Sequence, residues 1–493
     1  MALTRRGFVK WTCAGAGAAL LPSCQGPAVA GRHLAAAETP AASGPADGKP
    51  NFIIIYMDDM GYGDVGPFGS KKNRTPNLER MAAEGTRLTS FYAAPLCTAS
   101  RTTLMTGCYA KRCSMPSVLF PVSPVGLSRR EKIIPELLKP QGYATMCVGK
   151  WHLGDQPEFL PTRRGFDHYL GLPYSNDMGP AEKPPGPKAA AKKAENANPA
   201  PKRPPLPLLR DEKVVQEVAP RDQDRLVEIY TDEALKFIRA NKDRPFFLYL
   251  AHTAVHNPYH PGDAFKGKSF NGVYGDWVEE ADWSAGKVLD AVRELGLAER
   301  TLVIFASDNG ATKTGDNTPL RGFKGSTWEG GLREPVIAWW PGRVPAGRAC
   351  DEITSTMDVL PTLVGLAGGQ VPADRAIDGR DIRPLLFGEP GAKSPHEAFY
   401  YFAGGTGPLE AVRSGSWKYR LKPETALYHL DKDIGETTDV AAANPEVVKR
   451  MQELIDKMDK DLGVTGSGPG VREHDTAAKP RPLTLSGEMP VVD

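Results

Sequence analysis

Short runs of unbroken apolar character punctuate the chain at residues 52–57, 145–148, 246–251, 302–306 and 336–340. Strands that cover one face of a sheet alternate apolar with polar residues. Unbroken runs of this length, bounded by turn residues, belong to strands buried on both faces and predict a parallel sheet. Between them the apolar period lengthens to that of helices. Thr75-Pro76 supplies a cap and a proline at the first position of a helix running through Leu78 and Met81 to Gly85. Residues 221–241, 274–297 and 357–366 read as further amphipathic helices, and one more is expected to begin at Cys97, just after Pro95. Strands alternating with helices predict an α/β fold, a doubly wound sheet with helices on both faces.

After Asp378 the pattern changes. Residues 397–402, 411–412, 418–421 and 427–430 read as short strands, and 445–462 as a helix. The expectation is a main domain over 50–377, a small C-terminal α+β domain with an antiparallel sheet over 378–463, and a tail over 464–493. Composition shifts to Pro, Ala and Lys over 180–220, which reads as an exposed insertion.

The N-terminus reads as an export signal. Arg5-Arg6 begins a twin-arginine pattern, and the apolar run 11–21 that follows is about half the ~20 residues a membrane span needs. Two exits compete: Leu21-Pro22-Ser23-Cys24 resembles a lipoprotein site with Cys24 acylated, and Ala28-Val29-Ala30 suits ordinary cleavage. Pro22 stands against the first. Residues 1–30 are thus expected to engage the twin-arginine export machinery and 31–49 to form a tether, giving a periplasmic or extracellular protein with no transmembrane helix. Sixty-one basic residues against 59 acidic leave a formal charge of +2, which argues against a nucleic-acid partner; any positive charge that matters is local. Of seven cysteines, Cys13 and Cys24 belong to the leader. Export permits disulfides, and with Cys97 set aside Cys108, Cys113, Cys147 and Cys350 allow three pairings that the sequence does not rank.

In parallel α/β sheets ligands bind beyond the carboxyl ends of the strands, so the residues following each run carry the candidate chemistry. They are Asp58-Asp59, Lys150 to His152, His252 with His256, and Asp308-Asn309, with the turn Arg321 to Gly325 before the next strand. Asp58, Asp59, Asp308 and Asn309 offer only oxygen, which suits Ca²⁺, with Mg²⁺ as the alternative. Arg101, Lys150 and Lys324 are cations, and His152 and His256 are natural proton carriers. On a helix starting at Cys97, Arg101 shares the cysteine's face at i+4, and the helix N-terminus favours negative charge. The combination favours a bound oxyanion.

Assembled, these residues resemble the type I sulfatases of the alkaline phosphatase superfamily, over most of residues 50–462. The resemblance rests on Cys97-Thr98-Ala99-Ser100-Arg101 with its continuation Leu104-Met105-Thr106-Gly107, on Met57 to Gly61, Gly149 to His152, Ser307 to Gly310, and Lys324 to Gly331. Tyr174 to Asp177 and Pro205 to Leu208 further resemble the arylsulfatase A-like branch. The resemblance implies an alkaline phosphatase-like sheet. It also implies that a maturase oxidises Cys97 to formylglycine, whose hydrate is both nucleophile and a ligand of Ca²⁺ beside Asp58, Asp59, Asp308 and Asn309. Arg101 and Lys150 would neutralise the sulfate oxygens, His256 with Lys324 would protonate the leaving group, and His152 would accept the proton of the second hydroxyl. Ala99 departs from the proline of many members and implies a maturase tolerant of Ala. A sulfated carbohydrate is favoured over an aryl sulfate as substrate, with Asn176, Asp177, His252, His260 and Trp328 as the candidate rim. The alternatives are a phosphomono- or diesterase of the same superfamily, whose two-zinc members need His ligands, and an inactive sulfated-glycan-binding protein with Cys97 unmodified.

Overall fold

The computed structural model describes residues 48–180 and 203–485. The expected export signal, nearly all of the expected tether, part of the insertion and the end of the tail lie outside the described residues. In chain order the strands of the main domain are β1 Asn51–Met57, β2 Thr86–Tyr92, β3 Val125–Gly126, β4 Ala144–Gly149, β5 His168–Gly171, β6 Pro207–Arg210, β7 Lys213–Glu217, β8 Phe246–Ala251, β9 Thr301–Ser307, β10 Arg333–Trp339, β11 Arg348–Cys350 and β12 Thr354–Ser355. The large sheet runs β11-β2-β10-β9-β1-β8-β4-β5-β6-β7, with β12 beside β2.

Its centre is parallel: β9, β1, β8, β4 and β5 share one direction. All seven residues of β1 are buried, and they divide by parity. Ile53, Ile55 and Met57 face a core built with the helices Pro76–Glu84, Leu226–Ala240 and Gly272–Glu294; Phe52, Ile54 and Tyr56 face a second core that includes Leu104, Leu138 and Leu363. Helices on both faces are the reason the runs are continuous.

Two expectations change. The run at 336–340 belongs to β10, which lies antiparallel to both β9 and β2. Continuous apolarity reports burial on two faces and says nothing of direction. The loop after β9 stays at the carboxyl edge, so β10 starts there and runs back. In the insertion, β6 and β7 form a hairpin that extends the sheet, with β6 antiparallel to β5. Leu206, Leu208 and Leu209 are buried, giving that stretch a core-facing side despite the surrounding prolines.

The C-terminal elements form a four-stranded antiparallel sheet, β13 Phe399–Phe402, β14 Leu409–Ser414, β15 Trp417–Arg420 and β16 Ala426–His429, backed by the helix Pro445–Leu462. Met451, Leu454, Ile455 and Met458 give that helix its apolar stripe, and Tyr92, Tyr109 and Leu332 of the main domain share the core it covers. The last strand, β17 Asp475–Thr476, pairs with β3. No described helix is long and apolar enough to cross a membrane.

Candidate active site

The site forms where the parallel strands end. The chain leaves β1 into Asp58 and Asp59, and the Asp59 backbone takes the left-handed conformation at φ 61°. Such a conformation is costly for an aspartate and is held by neighbours: the Asp59 N–H donates to Asp308 Oδ1 at 3.1 Å and the Met60 N–H to Ser307 Oγ at 3.0 Å. The ends of β1 and β9 are thereby locked together, bringing three carboxylates into one buried cluster. Beyond β4, Gly149 sits at φ +100°, and a Cβ there would lie 1.9 Å from the Ala251 carbonyl oxygen. Only glycine allows that turn, which delivers Lys150 and then His152, itself at φ 60°.

Cys97 is the first residue of the helix Cys97–Thr106 and is buried. The turn carrying Lys324 is pinned against this helix start, with the Gly325 N–H donating to the Pro95 carbonyl at 2.9 Å. On its other side the Leu119 N–H donates to Thr98 Oγ1 at 3.2 Å.

Charge is arranged in pairs. Lys150 Nζ lies 2.5 Å from Asp58 Oδ2, Lys324 Nζ 2.6 Å from Asp59 Oδ1, and Arg101 Nη2 2.9 Å from Asp308 Oδ2. The Arg101 Nη1 group donates to the Lys150 carbonyl at 2.9 Å and to the Tyr249 hydroxyl at 3.2 Å. Burial alone would raise Asp58, but Lys150, His256, Arg101 and Lys324 together hold it well below the usual carboxylate range. Asp308 is pushed up to about 7 by burial and by the charge of Asp58. Burial also raises the Cys97 thiol, against the pull of Lys150 and Lys324, so the sulfur is kept protonated.

The two histidines differ. His152 is buried, and its Nε2 shares a 2.9 Å hydrogen bond with the Leu119 carbonyl, so that nitrogen carries the proton. Burial and Lys150 hold its pKa well below the ordinary histidine value, and Nδ1 is buried without a protein partner. A neutral ring with a free lone pair can accept a proton. His256 is 13% exposed, its Nδ1 lies 2.7 Å from the Asn257 carbonyl, and its Nε2 lies 3.7 Å from Asp59 Oδ2.

The residues fit a hard cation. Asp58 Oδ1 and Asn309 Oδ1 are buried oxygens without a hydrogen-bond partner, while Asn309 Nδ2 is spent on Asp59 Oδ1 at 2.7 Å. Asp58, Asp59 and His256 each bring a ligand atom within 4.8 Å of the others. Carboxylate and amide oxygens suit Ca²⁺ or Mg²⁺.

The candidate rim is only partly assembled. Asp177 lies 4.0 Å from His256 Nδ1. Asn176 is buried and donates to Gln223 Oε1 at 3.0 Å, and His260 binds Asp224 at 2.9 Å. His252 is buried against Ser284 Oγ at 2.9 Å, and burial lowers its pKa to about 3. Trp328 is sandwiched between Arg321 and Arg420, whose guanidinium carbons lie 3.6 and 3.8 Å from its ring centre. Sequence reading missed Tyr249 and Ser175, whose hydroxyls touch Arg101 and, at 3.2 Å, Lys150. Tyr249 counts as apolar within its run, so its hydroxyl left no trace in the pattern.

An α/β sheet that gathers carboxylates and cations at the carboxyl ends of its parallel strands is the arrangement of the alkaline phosphatase-like class of hydrolases. Residues 50–369 match the sulfatase family, and residues 324–462 match the N-sulphoglucosamine sulphohydrolase C-terminal family. The chain is 37% identical to arylsulfatase A of Homo sapiens over 87% of this chain and 92% of that protein. It is 41% identical to N-acetylgalactosamine-6-sulfatase of Canis lupus familiaris over 78% of this chain and 74% of that one. Among solved structures, Ps i-CgsB in complex with k-i-k-neocarrahexaose superposes with a TM-score of 0.72 at 33% identity, covering 83% of this chain and 92% of the other. The chain belongs to the sulfatase family and is an enzyme that hydrolyses sulfate esters.

Proposed function

We propose that this sulfatase is formylglycine-dependent, holds one Ca²⁺, and removes sulfate from a sulfated carbohydrate. The observation that carries the reading is the pair of unpartnered buried oxygens, Asp58 Oδ1 and Asn309 Oδ1, in the same cluster of charges that acts on Cys97. Three carboxylates there balance Arg101, Lys150 and Lys324, so a divalent ion makes the centre cationic and receptive to a sulfate ester. Asp58, Asp59, Asp308 and Asn309, with position 97, would hold the Ca²⁺, which supplies a positive charge for the nucleophile and sulfate oxygens. Mg²⁺ is the alternative, and it demands tighter octahedral geometry.

A thiol held protonated by burial is a poor nucleophile, which favours conversion of Cys97 by a maturase that accepts Ala99. Formylglycine at position 97, held at the start of the helix Cys97–Thr106, would supply a hydrated aldehyde as the oxygen nucleophile toward sulfur. Lys150 and Lys324 hold positive charge beside that position, and Arg101 braces Asp308 against Lys150. Fixed charge of this kind is the largest contribution to such catalysis. His256, with Lys324 nearby, delivers a proton to the departing oxygen. His152, neutral with Nδ1 free, would accept the proton of the hydrate's second hydroxyl.

The carbohydrate reading is supported by relatives whose names carry sugars, an N-acetylgalactosamine-6-sulfatase and a structure holding a neocarrahexaose. Asp177 beside His256 is the rim group best placed to meet a sugar hydroxyl. Export by the twin-arginine route, with cleavage after Ala30 or acylation at Cys24, and a division near residue 378 into catalytic and C-terminal domains complete the reading.

The decisive experiment pairs a peptide mass across Cys97 with sulfate release from a panel of sulfated sugars and an aryl sulfate. Formylglycine at position 97 with turnover of sugar sulfates is the expected result. Active protein carrying only a thiol there, or efficient aryl turnover with no sugar sulfate accepted, would overturn the corresponding half of the proposal. A phosphoesterase would instead release phosphate from phosphate esters in preference to sulfate.

A further inference from the structure

Just beyond the helix that starts at Cys97, a second group of reactive side chains is buried. The helix ends at Gly107 in the left-handed conformation, and the turn that follows, Cys108-Tyr109-Ala110-Lys111-Arg112-Cys113, doubles back through the hydrogen bonds Arg112 N–H to Tyr109 O and Cys113 N–H to Ala110 O. This brings the sulfurs of Cys108 and Cys113 and a carboxylate oxygen of Glu131 within 4.8 Å of one another. From the C-terminal tail, Arg472 closes over them. Its Nε lies 2.6 Å from Glu131 Oε1, and its Nη2 lies 3.0 Å from Glu131 Oε2 and 3.3 Å from Cys108 Sγ.

We propose that Cys108 and Cys113 are a dithiol–disulfide pair, oxidised to a bridge when the protein meets a small disulfide oxidant. The sulfurs of Cys108 and Cys113 already lie within reach of each other. Cys147 lies in β4 and Cys350 in β11, six strand spacings apart in the sheet, about 29 Å, so they cannot join each other and stay as thiols once Cys108 and Cys113 are paired. Cys108 is the attacking member: the hydrogen bond from Cys113 and the Arg472 guanidinium hold its pKa below the ordinary thiol value, whereas Cys113 is held above it. A metal is the less favoured occupant, because Arg472 already places a cation against both Cys108 and Glu131 and would have to be expelled.

The exchange is balanced. The Cys108 thiolate attacks one sulfur of oxidised glutathione and expels one glutathione thiolate. Cys113 then attacks Cys108 Sγ in the mixed disulfide and expels the second, its proton passing to that leaving thiolate. Two protein thiols become one disulfide, and one glutathione disulfide becomes two thiols. The bridge staples the turn that follows the Cys97 helix, which also anchors Arg112 to Asp378 and Asp461 and Lys111 to the Gly463 carbonyl.

The test uses the full-length protein, equilibrated both folded and by refolding from denaturant in glutathione buffers from reducing to oxidising, then acid-quenched and alkylated. Cleavage after Lys111 and Arg112 separates the two cysteines, so a bridge appears as two joined peptides. In oxidising buffer we expect Cys108 joined to Cys113, lighter by two hydrogens and closed to alkylation, with Cys147 and Cys350 still alkylated. Cys113→Ser should trap Cys108 as its glutathione mixed disulfide. Alkylation of both cysteines across the whole range, a bridge from Cys108 to Cys147 or Cys350, or stoichiometric zinc protecting the pair would each overturn the proposal.

Discussion

Arg101 is buried without exposure, and its two terminal nitrogens are committed to Asp308, the Lys150 carbonyl and the Tyr249 hydroxyl. It therefore acts on the site as a brace as well as a charge. Arg101→Ala should cost roughly 3 kcal/mol of transition-state stabilisation, about a hundredfold in rate, and should also weaken retention of the proposed Ca²⁺, because Asp308 loses its partner. Steady-state rates together with metal content, measured on protein whose position 97 is fully converted, test both; an unchanged rate would remove Arg101 from the site. Lysine at this position keeps charge but loses the planar fork, so Arg101→Lys should rescue little. His256 yields a sharper comparison. Its Nδ1 bonds the Asn257 carbonyl, leaving Nε2 as the nitrogen that can serve a leaving group. A sugar alkoxide needs that proton far more than a phenolate does. His256→Ala should damage sugar-sulfate turnover much more than aryl-sulfate turnover, and equal losses would rule out this role.

At the scale of elements, the helix Gly272–Glu294 does more than fill the core. Its Asp282 caps the helix Pro76–Glu84, accepting the Leu78 N–H at 2.8 Å and the Asn77 N–H at 3.2 Å. Asp282→Ala should lower stability by about 1–2 kcal/mol in denaturant titration. Two residues earlier, Glu280 accepts the Gly262 N–H at 2.8 Å, and burial, with Asp224 and Glu228 adding to it and the Gly262 hydrogen bond and Lys266 opposing, raises its pKa from 4.5 to about 8. The folded state thus binds this proton more tightly than the unfolded chain. Its contribution to stability is complete below pH 4.5 and is lost as pH rises through about 8. Glu280→Gln should leave stability near pH 4 unchanged and raise it at pH 9 by roughly 2–5 kcal/mol; no gain at pH 9 would show that the carboxylate is not desolvated as described.

Across the whole molecule, the C-terminal sheet is joined to the main sheet through a buried charge cluster. Lys418 of β15 lies 2.9 Å from Glu329 and 2.8 Å from Glu436, and Glu329 also accepts the hydroxyls of Tyr92 and Tyr401 at 2.6 and 2.7 Å. Against burial, Lys418, Arg333 and Arg413 hold Glu329 well below the usual carboxylate range. Replacing one member leaves the others charged and unpaired in the interior. Lys418→Met should cost about 3–5 kcal/mol, read as a lower denaturant midpoint, and an unchanged midpoint would mean that the cluster is not a structural joint. Glu329 also begins the short helix that follows the Lys324 turn, so the same variant should loosen the site's far wall.

The sequence by itself marked β1, β4, β8, β9 and β10, the long helices between them and the polar residues at the strand ends, while β2 and β5, which carry no unbroken apolar run, went unread. What it marked is local: burial on two faces leaves an unbroken apolar run, and Asp58, Lys150, His252 and Asp308 stand at or just beyond the ends of such runs. Only the tertiary structure decided the reversal of β10, the addition of the β6–β7 hairpin, the burial of His252 and the approach of Cys108 to Cys113. It also chose the partners. Asp58 meets Lys150 across 92 residues of chain and Arg101 meets Asp308 across 207. Contacts at such separations depend on the order and direction of strands in the sheet, and periodicity within a run of six residues carries no record of either.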